Sequence, residues 1–466
     1  MSLYSVPLPY QPDAIQYYAA LADMPWAAWL DSGGMARYDI LTAAPHHTLV
    51  LDDQIKLGDP FALLRSTLGL PPRDLPPGGV PHGDLPQGLP VASAADVPFA
   101  GGALGYWSYD LARRMKSLPC IARDAEHLPD MAVGIYDWAL LLDHQQRTAR
   151  LVSHRRYPET AEFLVKLSAK ILQHMQSKPP LPVDTMRVHG KIISNFTPDS
   201  YARAFEAVQQ HLQAGDCYQI NLAQRFAVKA EGNAFGAYLR LRSLSPAPYS
   251  AFLNFPQAQI LSSSPERFIS VRDGKVETSP IKGTRPRSSD GQRDRQLADE
   301  LHNHPKDRAE NLMIVDLMRS DLGKSCVTGS VQVSKLFAVE SFSNVHHLVS
   351  TITGKLAAGR DALDILRDCF PGGSVTGAPK QSAMQIIEQH EPNRRGIYCG
   401  AIGYVGFDGN MDSNIAIRTL VYSGEEMRCW AGGGIVADSD EQAEYQETLD
   451  KASGMLRLLQ HYGGHL

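Results

Sequence analysis

The dipeptide Asp273-Gly274 constrains the fold more than any other short stretch, because it stands between two strand-like segments, 268–272 and 275–280, and is a strong two-residue hairpin turn. Pairing outward from that turn sets Glu266 opposite about Ile281 and beside Lys282. A carboxyl and an amine therefore meet at the open end of the hairpin, either as a reactive pair or as a surface salt bridge; a bulge would turn them to opposite faces. Further strand-like segments, 249–255, 400–407 and 414–422, alternate irregularly with helical ones, several across tight turns. Hairpins imply antiparallel pairing, so the expected class is α+β, with large, mixed but mostly antiparallel sheets flanked by helices, and not a doubly wound sheet.

Two stretches read as loops or linkers: 71–90, crowded with proline and glycine, and 177–185, which carries Pro179, Pro180 and Pro182. They divide the chain into an N-terminal part, 1–185, and a C-terminal part, 190–466, which holds the dense chemical signals. With 466 residues, 43% hydrophobic and 20% charged, the chain is long enough to bury one large core or two to three smaller ones. A net charge of −5 is too weak to suggest a nucleic-acid partner. The start lacks a signal-peptide pattern, and no run of about 18 apolar residues could span a membrane, which implies a cytoplasmic protein. The six cysteines include no C-x-x-C pair and read as buried thiols, neither disulfides nor a zinc site. Phosphate loops fail as well: GGSVTGAPK (372–380) lacks the G-K-[ST] ending, and the glycines at 432–434 do not make G-x-G-x-x-G.

Two predicted helices open with carboxylates three residues apart, a spacing that projects both from one face. Asp307 and Glu310 begin one, followed by LMIVDLM, apolar on nearly every side and so expected to be buried; Glu444 and Glu447 begin the other, beside a stripe of Tyr445, Leu449, Ala452, Leu456 and Leu459. Ionised carboxylates entering a core need cationic partners or a hard cation such as Mg²⁺. Favourable pairing with the helix dipole is the alternative.

Ser374 to Pro379 precede a helical stretch, 380–390, with Pro379 placed for a first helical position. The free amides there could hold a substrate carboxylate, or could belong to an ordinary capped helix. One of His346 and His347 could act as acid or base near neutral pH, or both could be structural. Arg418 interrupts the strand-like 414–422, where a guanidinium facing inward could grip a carboxylate.

Taken together, the segments YQINLAQRF (218–226), SSSPERF (262–268), PIKGTRPR (280–287), ENLMIVDLMRSDLG (310–323), HLVSTITG (347–354), FPGGSVTGAPK (370–380) and EYQETLDK (444–451) resemble the chorismate-utilising enzymes. That family contains anthranilate, aminodeoxychorismate, isochorismate and salicylate synthases. FAGGALGYWSYDLAR (99–113) is similar to the companion domain of its aminating members, so the resemblance covers most of the chain and implies their fold of two interleaved subdomains. Members that add water carry a lysine base where this chain has Gln219, which implies amination instead. Anthranilate synthases have alanine at the place of Lys282, whereas the aminodeoxychorismate branch has lysine, so Lys282 implies amination at C4.

The resemblance further implies that Mg²⁺, held by Glu310 and Glu447 with Asp307 and Glu444 reaching it through water, activates the ring carboxylate of chorismate. Lys282 would attack C2 while Glu266 protonates the departing C4 hydroxyl, and ammonia would then displace the lysine. Tyr398, Arg418, Gly432, Gly434 and Lys451 would bind the carboxylates and enolpyruvyl group, Ser374, Gly283 and Thr284 would line the pocket, and His347 would sit near C4. Ser320 replaces the asparagine common in the family, while Asp321 remains. No cysteine stands in a glutaminase setting, Cys399 in GIYCGAIG coming nearest, so a separate glutaminase subunit is implied as ammonia source, on a route to p-aminobenzoate and folate. In related enzymes tryptophan fills a pocket lined by segments resembling Leu30-Asp31-Ser32 and Pro246-Ala247-Pro248-Tyr249; a filled core is the alternative. Rival readings are amination at C2, as in anthranilate synthase, and a non-catalytic homologue binding chorismate or a glutaminase. The latter would be expected to have lost Glu266, Lys282, Glu310 or Glu447.

Overall fold

The computed structural model describes residues 3–52, 58–70, 91–92, 97–177, 179–181, 183–342 and 345–465; the predicted loop 71–90 lies outside them. Among the described residues two large sheets carry the fold, one of thirteen strands and one of ten. In the first, the long strand Gln219–Glu231 lies between Arg187–Ser194 and Glu426–Ile435. The order continues through Thr419–Ser423, Gln259–Ser264 and Tyr249–Asn254 to Ala27–Asp31. In the second, Arg267–Arg272 lies between Lys275–Thr278 and Met411–Ile415, and Ala401–Gly406 pairs antiparallel with Gly102–Trp107. Each sheet thus joins strands from both sides of the loop that holds Pro179 and Pro180.

The side-chain alternation of the strands distributes them between layers. Ala28 belongs to an apolar core shared with the second sheet, with Trp107, Phe268 and Ile314, whereas its neighbours Ala27 and Trp29 belong to a core with the helices Thr160–Ser177 and Glu441–His461. The first sheet is therefore covered by the second on one face and by helices on the other.

The hairpin forms with the register expected from its turn. Asp273 and Gly274 have φ of 50° and 74°, the paired left-handed conformation such a turn demands, and Ser270 lies opposite Glu277. The hairpin ladder ends at that pair and the strand at Thr278, after which Ile281–Pro286 pairs with Val345–Lys355, with a register shift between Ile281 and Thr284.

Three expectations need correction. Residues 414–422 do not form one strand: Met411–Ile415 belongs to the second sheet and Thr419–Ser423 to the first, and Arg418, at φ 51°, sits in the crossover between them. The run is continuous in hydrophobicity because each half is buried in a different sheet. The helix Pro305–Gly323 is not buried on nearly every side, since Leu312 is 46% exposed while Ile314, Val315, Met318 and Leu322 form the packed face. Cys120 is exposed, and the other five cysteines are buried and unbonded. Among the described residues no helix is long and apolar enough to cross a membrane.

Candidate active site

The open end of the hairpin forms one wall of a cavity of about 500 Å³. Glu266, 4% exposed, accepts a 2.7 Å hydrogen bond from the Ser374 hydroxyl and another from the Ile281 amide. Burial pushes its carboxyl up to about 7, against the pull of Ser374 and of Lys282. Lys282 places its Nζ 3.5 Å from the Ser374 carbonyl, and burial lowers its pKa although Glu310 and Glu266 oppose the shift. Ser374 belongs to the short turn Gly373–Val375, so one residue touches both members of the pair. A carboxyl whose pKa is raised by burial beside an amine whose pKa is lowered by it is an arrangement suited to proton transfer and nucleophilic attack.

The facing wall carries the four carboxylates. Pro305 opens the first helix with the His304 ring accepting from the Asp307 amide, and Asp440 caps the second by accepting from the Ala443 amide at 2.9 Å. These caps fix the first turns, so Asp307, Glu310, Glu444 and Glu447 all line the cavity. Burial raises Glu310, with Lys282 and Lys306 resisting. For Glu447 burial acts in the same sense but is outweighed by Lys451, which is ion-paired with it, so its carboxyl lies low. Lys306 approaches Glu444 Oε1 at 3.4 Å. Glu444 is 3% exposed, yet its Oε2 has no hydrogen-bond partner among the described residues. The donor set is all oxygen, anionic and partly unsatisfied, which fits a hard divalent cation, although among the described residues no three acidic, histidine or cysteine side chains are drawn together as a finished metal site.

The glycine run 432–434 serves close approach. A Cβ on Gly433 would lie 2.9 Å from Glu444 Oε2, and one on Gly434 would lie 2.0 Å from Gln219 Nε2 and 3.5 Å from Lys282 Nζ. Gly432 offers its carbonyl to Lys451 Nζ at 3.0 Å. Gln219 lies behind Gly434, with its buried Oε1 unpartnered among the described residues. Gly283, at φ +77°, has no room for a Cβ against Asp307, which is 2.8 Å away.

His347 faces the cavity while His346, on the opposite face of its strand, bonds Asp294 and Ser341. The His347 Nδ1 meets the Thr284 hydroxyl at 2.9 Å, and burial and the charge of Arg418 lower its pKa to about 4, so at neutral pH it is an uncharged imidazole. Arg418 projects into the cavity and makes no side-chain hydrogen bond or ion pair among the described residues. Tyr398, stacked on Trp430 at 6.1 Å, lines the cavity beside it.

Of the two readings of the 374–380 segment, the substrate-binding one fails, since the helix-start amides do not line the cavity. Pro379 is the cap and not the first helical residue of Lys380–His390. Gly377–Ala378 pairs with Gln219–Ile220 and carries the helix away, so this segment meets the cavity through Ser374 and Val375. Sequence reasoning missed Lys306, Trp430 and Asn221, which also line the cavity. Lys306 could have been found from its place one residue before Asp307; Asn221 from the alternation that puts it on the face of Gln219.

A second cavity, of about 380 Å³, opens where a filled core was the alternative, lined by Leu30, Asp31, Ser32, Pro248 and Tyr249 and by Arg267. It has the size of a small-molecule site. Glu266 immediately precedes the strand Arg267–Arg272, and the two neighbouring side chains enter different cavities.

Residues 75–457 match the family model described as chorismate binding enzyme. The chain is 45% identical, over 98% of its length and 98% of the relative's, to aminodeoxychorismate synthase component 1 of Salmonella typhimurium. To anthranilate synthase component 1 of Geobacillus stearothermophilus it is 38% identical, over 79% of this chain and 75% of that one. The solved anthranilate synthase component I from Streptococcus pneumoniae superposes with a TM-score of 0.77 at 32% identity, covering 90% of this chain and 92% of the other.

Proposed function

The chain belongs to the chorismate-binding enzymes, and from that membership we propose that it acts as component 1 of an aminodeoxychorismate synthase, replacing the C4 hydroxyl of chorismate with an amino group. The observation that carries the choice of C4 is Lys282, half-buried beside Glu266 with its Nζ at the Ser374 carbonyl. In the proposed reaction the neutral Lys282 amine forms a bond to C2 while the C4–O bond breaks, and Glu266 gives its proton to the departing hydroxyl, releasing water. Ammonia then bonds to C4 as the C2–N bond breaks and returns its electron pair to Lys282. The Glu266 carboxylate left by the first step takes up a proton from the incoming nitrogen.

Arg418 and Lys451 bind carboxylates of the substrate, Arg418 as a charge with no competing side-chain partner among the described residues. Tyr398 and the Gly432 and Gly434 backbone fix the enolpyruvyl side chain, Gly283 and Thr284 border the ring, and neutral His347 orients groups near C4. Mg²⁺ held by Glu310 and Glu447, with Asp307 and Glu444 reaching it through water, would supply Lewis-acid charge for the ring carboxylate. Gln219, uncharged, cannot serve as the base that activates water, which favours ammonia as nucleophile. The ammonia comes from a separate glutaminase subunit: Cys399, the nearest approach to a glutaminase nucleophile, is fully buried, and its thiol is pushed up to about 12. The second cavity, bordered by Ser32, Pro248 and Tyr249, takes tryptophan in this reading.

The test is product identification by mass spectrometry and fluorescence after incubating the purified chain with chorismate, Mg²⁺ and ammonium salt at mildly alkaline pH. Aminodeoxychorismate, converted to p-aminobenzoate only when a lyase is added, supports the proposal. Anthranilate would overturn the weight given to Lys282.

A further inference from the structure

Segment 370–379 connects two helices, Ala362–Cys369 and Lys380–His390, and carries Ser374 at its middle. A single ammonium bridges its two ends. Lys380, the first residue after the segment, donates from Nζ to the carbonyl oxygen of Cys369, the last residue before it, at 2.6 Å, and to Asp321 Oδ2 at 2.5 Å. Lys380 is 8% exposed and Asp321 3%, so both bonds are made away from solvent.

Charge balance does not account for this lysine. Asp321 already takes Lys324 Nζ at 2.7 Å on its other oxygen, and Lys116 and Asp368 also face the group. Three cations therefore surround two anions, and removing Lys380 would leave Asp321 paired. What Lys380 alone does among the described residues is capture the carbonyl of Cys369 at the end of a helix, an acceptor that the helix itself cannot satisfy. The rear half of the segment has its own anchors, because Arg395 Nη1 donates to the Val375 carbonyl at 2.8 Å and Gly377–Ala378 pairs with Gln219–Ile220. The front half, which leads into Ser374, is braced internally by the Thr376 hydroxyl donating to the Gly372 carbonyl at 3.0 Å, and the bond from Lys380 to Cys369 is what links its start to the helix that follows.

We infer that Lys380 is a positioning residue: by tying the two ends of segment 370–379 together it sets the place from which Ser374 holds both Glu266 and Lys282. The inference rests on the proposed function for its catalytic consequence, but its structural part does not.

The experiment combines hydrogen exchange with a double-mutant cycle on the full chain. Lys380→Met should speed exchange in 370–376 by about tenfold or more, without equal change in the helix Pro305–Gly323. With chorismate, Mg²⁺ and ammonium, Ser374→Ala and Lys380→Met should each lower kcat by about tenfold to a hundredfold, and the double variant should be no slower than the slower single one. Lys380→Arg, which can still reach the Cys369 carbonyl, should recover most of the loss. Asp321→Asn, which leaves that bond intact, should stay within about threefold of wild type. Additive losses, unchanged exchange, or an Asp321→Asn defect as large as that expected for Lys380→Met would overturn the inference, and the last comparison holds even if Lys380→Met does not fold. A wild type that forms no aminodeoxychorismate overturns the proposed function instead, and exchange alone then decides the role of Lys380.

Discussion

Replacing Glu266 with glutamine should make the protein a poorer enzyme and a more stable one. The carboxyl has an ordinary value of 4.5 and stands at about 7 in the folded chain. A group raised in this way stabilises the fold while it keeps its proton, and that contribution is lost as the pH rises from the unfolded value through the folded one. The interval corresponds to about 3 kcal/mol at pH 8.5, falling below about 1 kcal/mol near pH 5. Glutamine has the shape of the protonated acid and can still accept from Ser374 and the Ile281 amide, but it carries no charge to bury. Urea denaturation at the two pH values should therefore place Glu266→Gln above wild type at pH 8.5 and nearly level with it at pH 5. Turnover should fall by roughly a hundredfold to ten-thousandfold, the usual worth of a positioned general acid. A variant no more stable than wild type at pH 8.5, or a difference indifferent to pH, would refute the argument that this acid is held protonated by burial.

Lys282→Ala should lose at least about a hundredfold in aminodeoxychorismate formation, with residual chemistry diverted towards C2, as product analysis would show; wild-type rates would sink the covalent route. Glu310→Gln should abolish the response of turnover to added Mg²⁺ while leaving the thermal melt in place, and an unchanged Mg²⁺ titration would remove Glu310 from the metal site. His347, with its pKa lowered to about 4, should remain neutral from pH 8 down to pH 5 in an imidazole nitrogen NMR titration, and a midpoint near 6.5 would show that it is not buried against Arg418.

The features legible in the sequence are those set by short-range geometry. The Asp273-Gly274 turn fixes its own register and brings Glu266 near Lys282, and carboxylates at i and i+3 share a helix face wherever the helix packs, but it is the family resemblance, not this local geometry, that assigns Glu266, Lys282, Glu310 and Glu447 to one site. Misreadings arose where distant partners decide. Nothing local in 414–422 announces that the strand changes sheets at Arg418, because both halves are equally apolar. Leu312 looks buried by composition, and only the position of the strand Val345–Lys355 shows which side of its helix is covered. Asn221 and Trp430 enter the cavity through the pairing of Gln219–Glu231 with Glu426–Ile435, strands about two hundred residues apart.

The way both sheets draw on both ends of the chain bears on how the protein is made. Ala27–Asp31 waits for Tyr249–Asn254, and Gly102–Trp107 waits for Ala401–Gly406, so a nascent chain leaving the ribosome carries unpaired strand edges until nearly all of it has been synthesised. The apolar faces of those early strands include Trp29 and Trp107, both fully buried at the end. Such a chain is exposed to aggregation for most of its synthesis, and its yield in a cell should depend on chaperones and on translation rate more steeply than its final stability suggests.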